Sequence, residues 1–389
     1  MGYKRSFLKG ALVGALAMLV IVGVILTNLF GLDGILDSTT EQKMQVIQNM
    51  IRSEYLYEDE VDEELLQQSI IKGYVAGLGD PYSVYYDEAE TQSLKESTSG
   101  EFGGIGVVIT QEIETQIITF TTVYDESPGQ KAGLLDGDIL YKVDGEEVTG
   151  QDLDTVVSKI RGEKGTTVEI TVLRGETMEE FTCKVTRDII EVNTVAYEMK
   201  EQNIGYIQVS GFETVTYRQF ETALTELTNQ GMQSLVVDLR NNPGGNLSTV
   251  CDMLDLILPQ GTIVSTKDKK GKGEVITSDE ERQLNIPMAV LINGNSASAS
   301  EIFAGAIQDY GVGTLVGTTS YGKGIVQNIY GLPDGTSLKL TTSEYFTPKG
   351  RNIHGTGIEP DVKVEYVYDK DNPEADNHLD AALECLREI

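Results

Sequence analysis

From Val192 onward, short apolar runs alternate with amphipathic segments of helical length, and this alternation constrains the fold more than any other feature. Residues 235–239 and 288–292 are almost continuously apolar, which is typical of strands buried on both faces of a sheet. Residues 216–230 place their large apolar side chains on one helical stripe. The sequence therefore predicts an α/β fold in which a β-α-β sheet is covered by helices.

Two different patterns precede this region. Residues 40–78 repeat apolar side chains at spacings of three and four, which predicts helices that end at the motif G-L-G-D-P-Y-S. Residues 100–188 instead carry short β-branched runs separated by glycine turns, with a glycine-opened strand at residues 104–109 and one amphipathic helix at residues 153–160. This second stretch predicts a small β-rich domain, either with a ligand-binding loop or with glycine turns that bind nothing.

The N-terminus carries the pattern of a membrane anchor. Residues 10–30, from Gly10 to Phe30, contain no charge and are long enough to cross a bilayer. Lys4, Arg5 and Lys9 precede them, so the positive-inside rule predicts a single-pass protein of the cell membrane with its remaining part extracytoplasmic. The alternative is a cleaved signal peptide, but no A-x-A-like site follows the apolar run.

The overall charge and the few cysteines exclude several classes of partner. There are 61 acidic and 30 basic residues, and the formal net charge of −31 would repel a phosphate backbone, so we expect no nucleic-acid partner. The spacing of Cys183, Cys251 and Cys385 fits neither a zinc site nor a disulfide framework. We expect no metal and no cofactor.

The motif S-A-S-A-S-E offers a candidate nucleophile at Ser298. The motif follows a predicted buried strand of the sheet, where ligands usually bind, and it opens a predicted helix. Unpaired N–H groups at the start of a helix can stabilise an oxyanion. The alternative is structural, because Ser298 and Glu301 also fit a capping box.

A serine nucleophile needs a base, and the chain offers three candidates. The only two histidines are His354, in the loop G-R-N-I-H-G-T-G, and His378, in a polar tail. Lys323 fits better, since Gly322 and Gly324 leave space around it and an apolar strand follows, so that desolvation lowers its pKa. The alternative is a solvated loop lysine.

Two glycine-rich loops have competing interpretations. Residues 317–323 match G-x-x-x-x-G-K, but a P-loop needs a hydroxyl residue next and then a helix, whereas Gly324 and a strand-like run follow. The loop N-N-P-G-G after the predicted strand 235–239 could supply an oxyanion donor from Gly244 or Gly245, paired with the Ala299 amide. It could equally be a tight turn.

Taken together, these motifs resemble the C-terminal processing peptidases, also called tail-specific proteases. The similarity covers nearly all of residues 40–365 and rests on the motifs G-L-G-D-P-Y-S, D-L-R-N-N-P-G-G, S-A-S-A-S-E-I, Y-G-K-G-I-V-Q and G-T-G-I-E-P-D. The resemblance implies a crotonase/Clp-protease-like core with a helical cap. It also implies that Ser298 is the nucleophile, Lys323 the base and Gln327 the residue that positions it, with Gly244 and Ala299 in the oxyanion hole.

The β-rich region resembles a PDZ domain through F-G-G-I-G-V-V-I and S-P-G-Q-K-A-G-L-L-D-G-D-I-L. PDZ domains hold the C-terminal carboxylate of an extended peptide on loop amides, which correspond here to Gly104, Ile105 and Gly106. The expected partners are therefore protein or peptide substrates with free C-termini. A second copy of the chain is a further expected partner, because the N-terminal helices of relatives often dimerise.

The resulting domain prediction has five parts. They are a cytoplasmic N-terminus with its anchor at residues 1–34, a helical region at 35–90, a PDZ domain at 91–188, a serine protease domain at 189–365 and a tail helix at 366–389. The predicted function is endoproteolysis of extracytoplasmic substrates by a serine–lysine dyad. The alternative from another class is a catalytically silent, membrane-tethered PDZ scaffold.

Overall fold

The computed structural model describes residues 38–279, 281–372 and 375–387. Within those ranges, no helix is both long and apolar enough to cross a membrane. The predicted anchor at residues 10–30 lies outside the described residues. The described residues up to Ile70 form one compact unit, and those from Ile71 onward form another.

The helices confirm most of the expected segments. Residues 40–78 are helical as predicted, and the helix expected at residues 216–230 is present. In chain order the helices are α1 (Ser38–Glu54), α2 (Glu63–Ala76), α3 (Glu88–Ser99), α4 (Pro128–Lys131), α5 (Leu153–Ile160), α6 (Thr216–Asn229), α7 (Leu247–Asp255), α8 (Ala299–Tyr310) and α9 (Asn377–Arg387), with short 3₁₀ turns at Glu58–Glu60 and Glu201–Asn203.

The strands occupy the regions between these helices. Those up to the end of the β-rich region are β1 (Val84–Tyr86), β2 (Glu101–Gly104), β3 (Val107–Gln111), β4 (Ile118–Val123), β5 (Ile139–Val143), β6 (Glu146–Glu147), β7 (Thr167–Arg174), β8 (Glu179–Thr186) and β9 (Asp188–Glu191). The remaining ones are β10 (Val195–Lys200), β11 (Ile204–Val209), β12 (Ser234–Asp238), β13 (Gly261–Asp268), β14 (Val275–Ser278), β15 (Met288–Ile292), β16 (Thr314–Gly317), β17 (Ile325–Gly331), β18 (Ser337–Phe346) and β19 (Val362–Lys363).

The predicted β-α-β sheet is the centre of the larger unit. Its strand order is β10-β11-β12-β15-β16-β19, and all neighbours run parallel except the pair of β10 and β11. Alternate residues of β12 point to opposite faces: Leu235 and Val237 pack with α6, α7 and α8, whereas Val236 packs with α9. Both faces are therefore covered, which explains why β12 and β15 are continuously apolar in sequence.

A second sheet was not anticipated from the sequence. Its order is β1-β18-β13-β14, and β17 forms a hairpin with β18. Strand β1 pairs antiparallel with β18, which is about 250 residues away along the chain. This pairing holds the segment that contains G-L-G-D-P-Y-S against the strands that follow Lys323.

The β-rich region has its own core. Strands β3-β4-β5-β7-β8 form its sheet, and Phe120, Leu140 and Val168 are among its fully buried side chains. The sequence suggested one strand at residues 104–109, but the structure breaks it at Ile105 and Gly106. Gly106 has a φ of 73°, a left-handed conformation that ends one ladder before the next begins.

Candidate active site

Three loops meet at the carboxyl ends of three neighbouring parallel strands. Strand β12 leads to the N-N-P-G-G loop, β15 leads to Ser298, and β16 leads to the loop that carries Lys323. In open α/β sheets this edge is where ligands bind. Ser298, Ala299, Gly245, Lys323 and Gln327 line one common cavity of about 360 Å³.

Ser298 has an unusual backbone conformation for a residue with a side chain. Its φ of 56° and ψ of −113° place it outside the favoured regions, at the N-terminus of α8. Tyr345, a buried residue of β18, donates a hydrogen bond from its hydroxyl to the Ser298 carbonyl at 3.2 Å. This hydrogen bond from the second sheet stabilises the strained backbone at Ser298. Such support keeps the serine side chain pointing into the cavity.

Glu301 connects the serine turn to the lysine loop. Its carboxylate is fully buried and accepts the Ser298 N–H at 2.9 Å, the return bond of the capping box predicted from the sequence. It also accepts the N–H groups of Gly322 and Lys323 and the Ser320 hydroxyl, at 2.6–2.8 Å. One carboxylate therefore fixes the spacing between the two candidate catalytic segments. The capping pattern and the nucleophile position are compatible rather than alternatives.

Lys323 is half-buried, and its amine lies 4.4 Å from the centre of the Tyr82 ring. Burial lowers the pKa of Lys323, and the nearby charge of Lys339 lowers it further, while Asp80 and Glu301 oppose both effects. The solvated loop lysine of the alternative interpretation would not show this shift. Among the described residues, no hydrogen bond joins the Lys323 amine to the Ser298 hydroxyl. Catalytic hydrogen bonds are often absent until substrate binds.

Gln327 lines the same cavity but has a different partner from the one expected. Its side-chain amide donates to the Thr341 hydroxyl at 3.2 Å. Within the described chain it makes no hydrogen bond to Lys323, so its role in positioning the base stays a prediction.

Lys323 is followed by β17 rather than a helix, which agrees with the exclusion of a P-loop.

The N-N-P-G-G loop approaches the serine turn very closely. A Cβ atom on Gly244 would lie 2.7 Å from the Ala297 carbonyl oxygen and 2.8 Å from the Ser298 Cβ, so only glycine fits. The Gly244 N–H donates to the Asn242 side chain at 2.9 Å and is already engaged. Gly245, not Gly244, lines the cavity. The geometry favours Gly245 over Gly244 as the amide that faces a substrate.

Neither histidine lies in the cavity lining. His354 is exposed, and its Nδ1 accepts the Gly324 N–H at 3.4 Å. His378 is buried on α9, on the face of the sheet opposite α8, with its ring edge-on to Tyr366. These positions leave Lys323 as the candidate base that shares a cavity with Ser298.

Gly104, Ile105 and Gly106, the residues that the resemblance to PDZ domains predicts to bind a carboxylate, lie where one strand ladder ends and another begins. Gly104 ends the ladder between β2 and β9, and the ladder between β3 and β4 begins at Val107. The N–H groups of Ile105 and Gly106 lie between these two ladders. Strand β3 is an edge strand of its sheet, so its outer side can accept an added peptide strand.

Sequence reasoning missed the residues that support the candidate dyad. Tyr82 and Asp80 belong to G-L-G-D-P-Y-S, which contributed to the resemblance but received no role. Glu301 was interpreted only as a helix cap, and Tyr345 showed no signal at all. The reason is physical, because the partners that matter at the site are distant in the chain. The pairing of β1 with β18 brings Asp80 and Tyr82 towards Lys323, whereas Glu301 reaches the lysine loop from the start of α8.

A sheet that presents a serine at a helix N-terminus, with a half-buried lysine in the same cavity, has the features of a serine hydrolase. Family models match at residues 203–364 (peptidase family S41), 119–174 (PDZ domain) and 34–91 (N-terminal domain of the activating protease CtpB). The carboxy-terminal-processing protease of Bartonella bacilliformis is 39% identical over 311 residues, which cover 78% of this chain and 70% of that protein. The chain belongs to peptidase family S41, the C-terminal processing proteases, and is a serine peptidase.

Two further comparisons agree with this assignment. The carboxy-terminal processing protease CtpA of Bacillus subtilis is 36% identical over 324 residues, covering 83% of this chain and 68% of that protein. A solved structure from Bacteroides fragilis, described as an S41 protease, has a TM-score of 0.50 at 16% identity, and the match covers 82% of this chain and 90% of that one. It supports the fold alone: a mixed α/β core with a PDZ domain and N-terminal helices, as predicted.

Proposed function

We propose that this peptidase cleaves extracytoplasmic proteins that it selects by their free C-termini, with Ser298 as nucleophile and Lys323 as general base. The observation that carries the proposal is the convergence of three loops, from β12, β15 and β16, on one cavity. Each loop contributes one chemical function: an oxyanion donor, a nucleophile and a base. The domain boundaries predicted from the sequence are part of this proposal.

The reaction follows from these positions. Neutral Lys323 takes the proton of the Ser298 hydroxyl as the oxygen attacks the scissile carbonyl, and the resulting ammonium then protonates the leaving amine. The Ala299 N–H at the start of α8 and the Gly245 N–H stabilise the oxyanion of the intermediate. Water then attacks the acyl-enzyme, with Lys323 again accepting a proton. We assign Gln327 to orienting the lysine during these transfers.

Selection of C-termini is the first part of the proposal that can be tested. The substrate's carboxylate would bind the amides of Gly104, Ile105 and Gly106, and its last residues would add a strand to β3. Apolar last residues should be preferred, because β3 opens with valines. We expect a peptide with a free apolar C-terminus to be cleaved faster than the same peptide with an amidated terminus, measured by kcat/KM.

The control is the chain without residues 91–188. If the free and amidated peptides are cleaved equally fast, and removal of this segment changes nothing, tail recognition is not the role of the PDZ domain. The alternative of a catalytically silent scaffold is not favoured by the family assignment. It would require that no peptide is hydrolysed by the intact chain.

Location is a second proposal, and it rests on sequence. The uncharged run from Gly10 to Phe30, preceded by Lys4, Arg5 and Lys9, favours a single-pass anchor with residues 35–389 outside the cytoplasm. A protease added to cells with permeabilised walls should then degrade this region. Protection in cells with an intact membrane would show the opposite orientation.

Homodimer formation through the N-terminal helices is a third proposal. No residue of α1 is buried, and its Ile47 and Met50 are at least half exposed, as is Leu65 of α2. Exposed apolar side chains in this number favour burial against a second copy of the same helices. Light scattering on residues 38–389 should give twice the monomer mass, and a monomeric mass at high micromolar concentration would contradict it.

A further inference from the structure

The Lys323 amine has a neighbour from a distant part of the chain. Tyr82, in the turn that precedes β1, places its ring centre 4.4 Å from Nζ of Lys323. This distance is within the range of cation–π attraction, which acts on the charged ammonium and not on the neutral amine. Asp80, two residues earlier, adds a negative charge that also favours the ammonium.

The turn that carries these two residues is firmly held. The Asp80 carboxylate accepts the Tyr82 N–H at 3.0 Å and the Ser83 hydroxyl at 2.6 Å. Ser83 in turn accepts the Thr341 N–H of β18 at 3.0 Å, and β1 pairs with β18 directly after the turn. A turn fixed in this way keeps the ring and the carboxylate in place while the lysine changes its charge.

The Asp80 side chain is an ionised carboxylate at neutral pH. Burial raises its pKa, but hydrogen bonds from Ser83 and Thr341 and the charge of Lys323 outweigh burial and hold it below its usual value. The neighbouring Tyr321 hydroxyl and burial raise the pKa of Tyr82, so this ring is uncharged. The lysine therefore faces a permanent anion and a neutral ring on one side.

We propose that the Tyr82–Asp80 turn is a positioning element for the catalytic base, which stabilises the Lys323 ammonium formed when the lysine takes the serine proton. The proposal rests on the proposed function, because it requires Lys323 to be the base. Its chemistry is a single proton transfer: the O–H bond of Ser298 breaks, an N–H bond forms on Lys323, and the positive charge appears beside the Tyr82 ring and near the negative charge of Asp80.

Other charged groups act on the same lysine and set the sign of the expected effects. Lys339 of β18 lines the cavity and repels the ammonium, whereas Glu301 of α8 attracts it. Glu301 is committed to four hydrogen bonds and does not change in the experiment. Removing an attractive neighbour should lower the pKa of Lys323, and removing Lys339 should raise it.

The test is the pH dependence of kcat/KM for one tail peptide. Tyr82→Leu keeps an apolar side chain but loses the ring. We therefore expect the midpoint of the rise in kcat/KM, which reports the deprotonation of Lys323, to move about half a pH unit lower. The plateau at high pH should fall roughly 3- to 10-fold, because the ammonium is less stable in the transition state. Asp80→Asn should change both quantities in the same directions, and Lys339→Met should move the midpoint higher.

Two controls separate this role from a structural one. Tyr82→Phe keeps the ring and loses only the hydroxyl, so its midpoint should remain at the wild-type pH. Tyr141→Leu removes a ring that lies 4.4 Å from the Lys142 amine in the PDZ domain, a matched contact away from the cavity, and should leave the midpoint unchanged. Thermal unfolding of each variant checks that the plateau is measured on folded protein.

The outcomes distinguish this inference from the proposed function. If Lys323→Ala remains active, the base assignment and this inference both fail. If Lys323→Ala is inactive but Tyr82→Leu and Asp80→Asn leave the midpoint unchanged, only the role of the turn is overturned. A plateau that rises in Tyr82→Leu would mean that the ring restrains the base, and would also overturn the proposal.

Discussion

Ser298→Ala is expected to abolish peptide hydrolysis while leaving the protein folded. The alanine removes the oxygen that forms the acyl-enzyme, and loss of a covalent nucleophile costs on the order of 10⁴-fold or more in rate. The backbone of the turn should survive, because its bonds to Glu301 and Tyr345 come from main-chain atoms of residue 298. The measurement is single-turnover cleavage of a tail peptide, with circular dichroism to confirm folding.

The same motif supplies a matched control. The Ser296 hydroxyl is buried and donates to the Leu239 carbonyl at 2.8 Å, so its role in the structure is to satisfy a buried acceptor. Ser296→Ala should lower the free energy of unfolding by about 1 kcal/mol and still hydrolyse peptide below its melting temperature. Near-normal turnover in folded Ser298→Ala would refute the nucleophile assignment.

Lys323→Arg is expected to be as inactive as Ser298→Ala, although it keeps the positive charge. A guanidinium stays protonated in proteins and cannot accept the serine proton. Lys323→Ala should be equally inactive, whereas Gln327→Ala should lose less, because it orients the base and does not transfer the proton. Steady-state hydrolysis of one tail peptide compares the three variants.

The pH profile of the wild-type protein is part of the same prediction. Burial and Lys339 lower the pKa of Lys323, so the rate should rise with pH through a midpoint below about 10.4, the value for free lysine. That midpoint should lie above the range in which a free imidazole titrates. His354→Ala is the control and should keep most activity, since this side chain is exposed and absent from the cavity lining. An inactive His354→Ala alongside an active Lys323→Ala would replace the dyad with a histidine-based site.

The strands and helices around the site were largely readable in the sequence, because each depends on local periodicity. Strand β15 coincides with the apolar run predicted at residues 288–292, and the helix predicted to open at the S-A-S-A-S-E motif begins at Ala299. Deviations occur where a glycine ends an element, as at Gly106, because local hydrophobicity does not report backbone conformation.

The sequence by itself determined the family, the α/β core, the PDZ region and the candidate residues Ser298 and Lys323, because these depend on short motifs and on the order of strands and helices. Tertiary structure alone decided that Glu301 ties the two catalytic segments together, that Gly245 rather than Gly244 faces the cavity, and that Tyr82 lies over the lysine. The contact of Glu301 with Lys323 joins residues 22 positions apart, and that of Tyr82 with Lys323 joins residues about 240 positions apart. Such contacts follow from the packing of loops and from strand pairing with β18, and no local pattern encodes them.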